Sequence, residues 1–233
     1  MVDFNGFITE SNRKADQIPW IFPVTWKLID EISPDYKCSM ANLTEDHLKI
    51  VETKSNISNE FKFLENYLTD YTRKHDSLIV YSHNDLNPGN IIYNKDLNTQ
   101  IKFIDFDYSC LDYQAYDIGN HFVEYSGFGS DYSDYPSKEY QLKWLSIYFN
   151  ELYRLINEFY ANDSDKRIEL NAAKLEQFYE ESSLFAMVSH YGAAIWCLIQ
   201  AGVSKIDFDY SAMLKVRLDQ YLAFKKRFMS SSN

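Results

Sequence analysis

The chain has 233 residues, 45% hydrophobic and 17% aromatic, enough for one well-buried domain over residues 1–233. Its 34 acidic against 23 basic side chains give a net charge of −11, which disfavours nucleic acid and anionic membrane as partners, since both demand a basic face. Three scattered cysteines, Cys38, Cys110 and Cys197, with no Cys-x-x-Cys pair and no apolar run read as long enough to span a bilayer, predict a reduced cytoplasmic protein without zinc, disulfides or membrane insertion.

In chain order, residues 1–13 lack a signal-peptide core, and Pro23 starts a helix over 23–32. Phe61, Leu64, Leu68 and Tyr71 recur at helical spacing and mark a second helix. Leu78-Ile79-Val80-Tyr81 reads as a buried strand and Asn90-Ile91-Ile92-Tyr93 as another. Residues 94–98 then make a polar turn before a third strand, Ile101-Lys102-Phe103-Ile104-Asp105. A Gly-, Ser- and Asp-rich loop spans 127–133, and after Pro136 a helix is marked by Leu142, Leu145, Tyr148, Phe149 and Leu152. Residues 170–200 and 212–228 add long amphipathic helices before a short Ser-Ser-Ser-Asn tail. The predicted fold class is α+β, mostly helical, with a small β cluster carrying polar loops.

Those loops hold the chemistry. His83-Asn84-Asp85-Leu86-Asn87-Pro88-Gly89-Asn90, followed by Ile104-Asp105, has the order of a phosphotransferase site: a catalytic-loop Asp, an Asn five residues on, and a metal-binding Asp after a strand. In such chemistry the protein positions a hydroxyl against the γ-phosphoryl group of ATP and neutralises charge with Mg²⁺. Asp85 is then the base, and Asn90 and Asp105, with Asp107 near a second ion, are the oxygen ligands. Asn and Asp also serve turns, so His-x-Asp-x-x-x-x-Asn alone is as compatible with a structural role; the downstream Asp in strand context favours the catalytic one. His83 is expected to orient the loop, and His190 to begin an apolar helix as a satisfied core residue. Farther on, Asp117, Asn120, His121 and Glu124 fall at i, i+3, i+4 and i+7, one polar face of a helix that solvent alone would explain.

The chain resembles the choline/ethanolamine kinases. The resemblance runs from Pro19-Trp20-Ile21-Phe22 through Ser82-His83-Asn84-Asp85 and Phe103-Ile104-Asp105-Phe106-Asp107-Tyr108 to Tyr116-Asp117-Ile118-Gly119-Asn120-His121-Phe122-Val123-Glu124. It resumes from Ser189-His190-Tyr191 to Ile206-Asp207-Phe208-Asp209-Tyr210. It implies a protein-kinase-like C-terminal lobe and transfer of the ATP γ-phosphoryl to ethanolamine or choline in phospholipid synthesis. Asp117, with His83 and Asn120, would brace the catalytic loop, while Glu124, Tyr125, Trp196 and Phe208 would face the ammonium end. Trp196 matches the second member of the family's Trp-x-x-Trp pair, but Ala193 stands at the first, and Met213 stands where choline kinases carry a Tyr. A quaternary ammonium needs aromatic faces, so this set weakens the expectation of choline and leaves ethanolamine, whose ammonium donates hydrogen bonds to a carboxylate, without the sequence choosing between them.

Family members also carry an N-terminal nucleotide lobe with a glycine-rich loop and a Lys–Glu pair. The seven glycines here form no Gly-x-Gly-x-x-Gly, and that lobe is expected to be missing from these residues. A non-catalytic remnant that binds a cation or a partner is therefore the competing reading, and an aminoglycoside-type phosphotransferase a third. The sequence allows a homodimer without requiring one.

Overall fold

Apolar residues at three- and four-residue steps, stopped by polar caps, make most of this chain helical. A computed structural model describes residues 19–94, 101–127, 132–160 and 169–229. The expected features within 1–13, 95–98, 128–131 and the tail at 230–233 lie outside the described residues.

Helix α1, Ile21–Glu31, starts two residues before Pro23, which falls in the first turn where its missing N–H is no loss. Helix α2, Glu45–Val51, was not expected. Its N-terminus is a reciprocal capping box: Thr44 Oγ1 accepts the His47 N–H and the Thr44 N–H donates to His47 Nδ1. A histidine replaces the usual Glu or Gln, which hides the start from pattern reading. Helix α3, Lys54–His75, is capped by Thr53 and buries Ile57, Phe61, Leu64 and Leu68 as one stripe.

Strand β1, Ile79–Ser82, carries the chain into the polar loop, and a 3₁₀ turn at Pro88–Asn90 leads out of it into β2, Ile91–Tyr93. Strand β2 pairs antiparallel with β3, Ile101–Phe103, and β1 pairs antiparallel with β4, Cys110–Tyr113, with Ser82 opposite Cys110. The buried strand expected at 78–81 is in fact half-covered, with Tyr81 72% exposed, because each ribbon has only two strands and one open face.

Four helices follow: α4, Gln114–Glu124; α5, Lys138–Phe159, capped by Ser137; α6, Ala172–Val203, capped by Asn171; and α7, Tyr210–Met229. Helix α6 packs along α7 and across α4. Phe61, Tyr191 and Tyr221 centre the main core, with the Phe61 and Tyr191 rings stacked at 5.8 Å and the Tyr191 hydroxyl donating to the Ile57 carbonyl at 2.6 Å. A second core joins Phe122, Leu145, Phe149 and Phe178.

Gly119 makes the α4–α6 crossing possible, since a Cβ there would lie 2.4 Å from the Ser182 carbonyl oxygen and 2.7 Å from the Ala186 nitrogen. One reading from composition needs correction. Helix α6 is long and apolar enough to cross a membrane, yet 78% of its most apolar stretch is buried inside the protein, as expected of a central core helix. His190 likewise does not begin a helix. It sits in the middle of α6, fully buried.

Candidate active site

The loop after β1 is shaped by its own polar side chains and by α4 beneath it. Asn84 adopts φ +64°, a left-handed conformation that Asn tolerates better than most residues. Its side-chain amide donates to the Tyr108 carbonyl at 3.1 Å and to Cys110 Sγ at 3.2 Å. Asp117 accepts the backbone N–H of His83 on one carboxylate oxygen (2.9 Å) and that of Asn84 on the other (2.8 Å). Asn120 donates to the Asn84 carbonyl at 3.2 Å, and His121 donates from Nδ1 to the Leu86 carbonyl at 2.8 Å. Asp117, Asn120 and His121 on the polar face of α4 are thus spent on the loop, not on solvent.

Burial pushes the His121 imidazole below its usual pKa, against the pull of the Leu86 carbonyl, so the ring is neutral and carries its proton on Nδ1. The hydrogen bonds of His83 place its proton on the other nitrogen. The Asp85 N–H donates to its Nδ1 at 3.3 Å, leaving Nε2–H to donate to the Ile104 carbonyl at 2.9 Å. His83 therefore ties the polar loop to the strand end before Asp105.

Asp85 is held on both oxygens: Asn87 Nδ2 donates to Oδ1 at 3.1 Å and Asn90 Nδ2 to Oδ2 at 2.9 Å. Asn90 is buried, and its carbonyl accepts the Ile104 N–H at 3.1 Å, which brings the loop and the β3 end together. Asp105 follows with φ +62°, an exposed carboxylate on a left-handed residue, and Asp107 is exposed beyond it. Among the described residues no three His, Cys, Asp or Glu side chains cluster as a metal cage. An Asn oxygen and two exposed carboxylates still suit Mg²⁺, which takes few protein ligands and completes its shell with water and phosphate.

At the far end of α4, Glu124 is largely covered, its side chain 12% exposed, and is ion-paired with the buried Arg217 of α7, Nη2 to Oε1 at 3.3 Å. Burial raises the Glu124 pKa, Arg217 pulls it back, and the nearby Asp85 charge adds to the rise. Tyr125 meets the His121 ring edge-on at 5.2 Å and its hydroxyl lies 3.2 Å from that of Tyr140. Trp196 and Phe208, both more than a third exposed, flank Tyr210 at 5.6 and 4.9 Å. Among the described residues no ring contact or hydrogen bond joins this trio to Glu124 or Tyr125. Met213 is buried in the main core.

A sequence profile of choline/ethanolamine kinases matches residues 7–222. The chain belongs to that family. It is similar to an ethanolamine kinase of Drosophila melanogaster, 37% identical over 217 residues, 91% of this chain and 38% of that protein. It is also similar to ethanolamine kinase 1 of Homo sapiens, 41% identical over 150 residues, 64% of this chain and 31% of that protein. A solved Plasmodium vivax ethanolamine kinase superposes with TM-score 0.58 at 28% identity, covering 91% of this chain and 51% of that one. A Cryptosporidium parvum choline kinase, 20% identical, shares the fold with TM-score 0.65, covering 95% of this chain and 62% of that one. The chain spans less than half the length of the curated relatives it matches.

Two residues of this family member escaped sequence reading. Arg217 sits in a helix among other basic residues, and nothing in its spacing points to Glu124. Asp112, fully buried on β4, accepts the Tyr113 N–H at 2.8 Å and, beside the α1 N-terminus, has its pKa raised by burial to about 7.

Proposed function

We propose that this chain is the protein-kinase-like C-terminal lobe of an amino-alcohol kinase, transferring the ATP γ-phosphoryl group to ethanolamine in preference to choline. The observation that carries the reading is the Asp85 carboxylate, gripped on each oxygen by a separate side-chain amide in a loop whose backbone is anchored by Asp117. A base whose two oxygens are pinned this way is oriented before substrate arrives.

In the step itself, the acceptor hydroxyl passes its proton to Asp85 as its oxygen bonds the γ-phosphorus and the bond to the ADP leaving oxygen breaks. Bound Mg²⁺ supplies charge neutralisation on the phosphates, and Asn90, Asp105 and Asp107 are the residues that would hold it. Glu124 takes the ammonium, and the Trp196–Phe208 pair contributes an apolar wall. Ile92, Tyr93, Phe103 and Phe106 are exposed around the Asp105 side of the site, an apolar surface suited to a purine ring and to the nucleotide-covering lobe that this reading places outside the 233 residues.

The names of the relatives support an amino-alcohol acceptor, as does the excess of acidic charge for a cationic substrate. Localisation in the cytoplasm belongs to the same proposal. The test is phosphorylation of ethanolamine and choline with ATP and Mg²⁺, with Asp85→Asn alongside. Turnover that falls by orders of magnitude in a folded Asp85→Asn supports the assignment. Unchanged turnover in that variant overturns it, and a parent chain inert toward both alcohols favours a binding module.

A further inference from the structure

Arg217 is 4% exposed, and Glu124 is the one acceptor its guanidinium bonds among the described residues. Its Nη1 has no partner there. Around it lie Glu124 from α4, Tyr132 from the segment after α4, and His190 and Cys197 from α6, all within electrostatic reach. Tyr132 and His190 are already engaged with each other at 2.6 Å, and burial together with the Arg217 cation drives the His190 pKa well down, so that ring is neutral. The Arg217 charge is therefore spent on Glu124, and no donor among the described residues bonds the second Glu124 oxygen.

We propose that Arg217 is a positioning residue that keeps Glu124 ionised and fixed through one oxygen, leaving the other to accept a hydrogen bond from a primary ammonium. The inference rests on the ammonium role given to Glu124 above. Buried alone, a carboxyl group takes up a proton and turns from acceptor to donor; beside a guanidinium it stays an acceptor. The pairing also sets specificity. A quaternary ammonium has no N–H to donate and draws on net negative charge and aromatic faces, and Arg217 cancels the former. A primary ammonium gains a directional bond that survives the cancellation.

The experiment compares the full-length protein with Glu124→Gln, Arg217→Gln, the double variant and Arg217→Lys, using both amino alcohols. Loss of Arg217 is expected to raise the ethanolamine KM about tenfold or more, the scale of one charge-assisted hydrogen bond, with kcat nearly unchanged. That KM should climb further as pH falls from about 8 to about 6, because the unpaired carboxyl protonates. Arg217→Lys should recover the flat pH profile, and the choline KM should move less. The double variant should match Glu124→Gln, since Arg217 acts through Glu124. Removing both charges avoids stranding one, so this comparison stands even where Arg217→Gln does not fold. An unchanged ethanolamine KM in folded Arg217→Gln, or a double variant clearly worse than Glu124→Gln, overturns the proposal. If the parent phosphorylates neither alcohol, the proposed function fails by itself. The ¹³C titration of the Glu124 carboxyl then decides the pairing alone: an upward shift without Arg217 supports it, and no shift rejects it.

Discussion

Asn84 holds a left-handed backbone, φ +64°, and donates its N–H at 2.8 Å to the Asp117 carboxylate. A conformation with a cost of its own is maintained because α4 presents an acceptor at that height, and Asp85 inherits its direction from the residue before it. Replacing Asp117 by Asn leaves one of two buried N–H groups facing an amide donor. The expected result is a loss of about 1 to 3 kcal/mol in urea unfolding and a fall in kcat of about 100-fold, from misplacement of the base. A variant with parental kcat would show that the loop keeps its shape without α4.

Gly119→Ala should act on the same loop from farther away. A methyl group 2.4 Å from a backbone carbonyl cannot be accommodated by side-chain motion, so α4 must move off α6. Overpacking of this kind costs about 1 to 3 kcal/mol, and thermal melting together with kcat of the folded protein would read both consequences.

Asp112 gives the protein a pH signature. Its folded pKa, about 7, lies above the 3.8 of an ordinary aspartate, so the native state holds a proton that the unfolded chain has released. Stability from this group is therefore full at low pH and lost as pH rises toward 7, by at most about 4 kcal/mol. Asp112→Asn should remove that slope. Relative to the parent, the Asn variant should melt higher at about pH 8 than at about pH 5, and parallel melting curves at the two pH values would refute the assignment.

Acceptor choice can be pushed toward choline from α6. Ala193 lies one turn before Trp196 on the same side of the helix, where a second indole would add a face for a trimethylammonium group. Ala193→Trp is expected to lower the choline KM by about two- to thirtyfold while leaving ethanolamine nearly unaffected. Equal changes for both substrates would place Ala193 outside the acceptor pocket.

The sequence disclosed the long helices because their apolar stripes are uninterrupted, as in Phe61, Leu64 and Leu68 of α3 and Leu145 and Phe149 of α5. It also exposed the polar loop from His83 to Asn90, since the residues that make its turns are the ones to which the proposed chemistry is assigned. What stayed hidden depends on distance in the chain. The α2 cap uses a histidine in place of an acid or amide, and β4 is four residues long and takes its meaning only from pairing with β1. The four polar residues of α4 were visible as a face, and the family resemblance pointed Asp117 and Asn120 at the loop, but spacing alone did not give that direction: a loop at 83–86 and an arginine at 217 use that face, and neither is local to it.

Helix α6 leaves the ribosome before α7, and α7 is the element that packs most extensively against it. For that interval the nascent chain carries a segment with the length and apolarity of a membrane span and no cover on its α7 side. The cover for α6 is made after α6 itself, so a stop codon before Tyr210 should send the polypeptide to chaperones, to aggregates or to a bilayer, even though every residue of the polar loop at 83–90 has already been made.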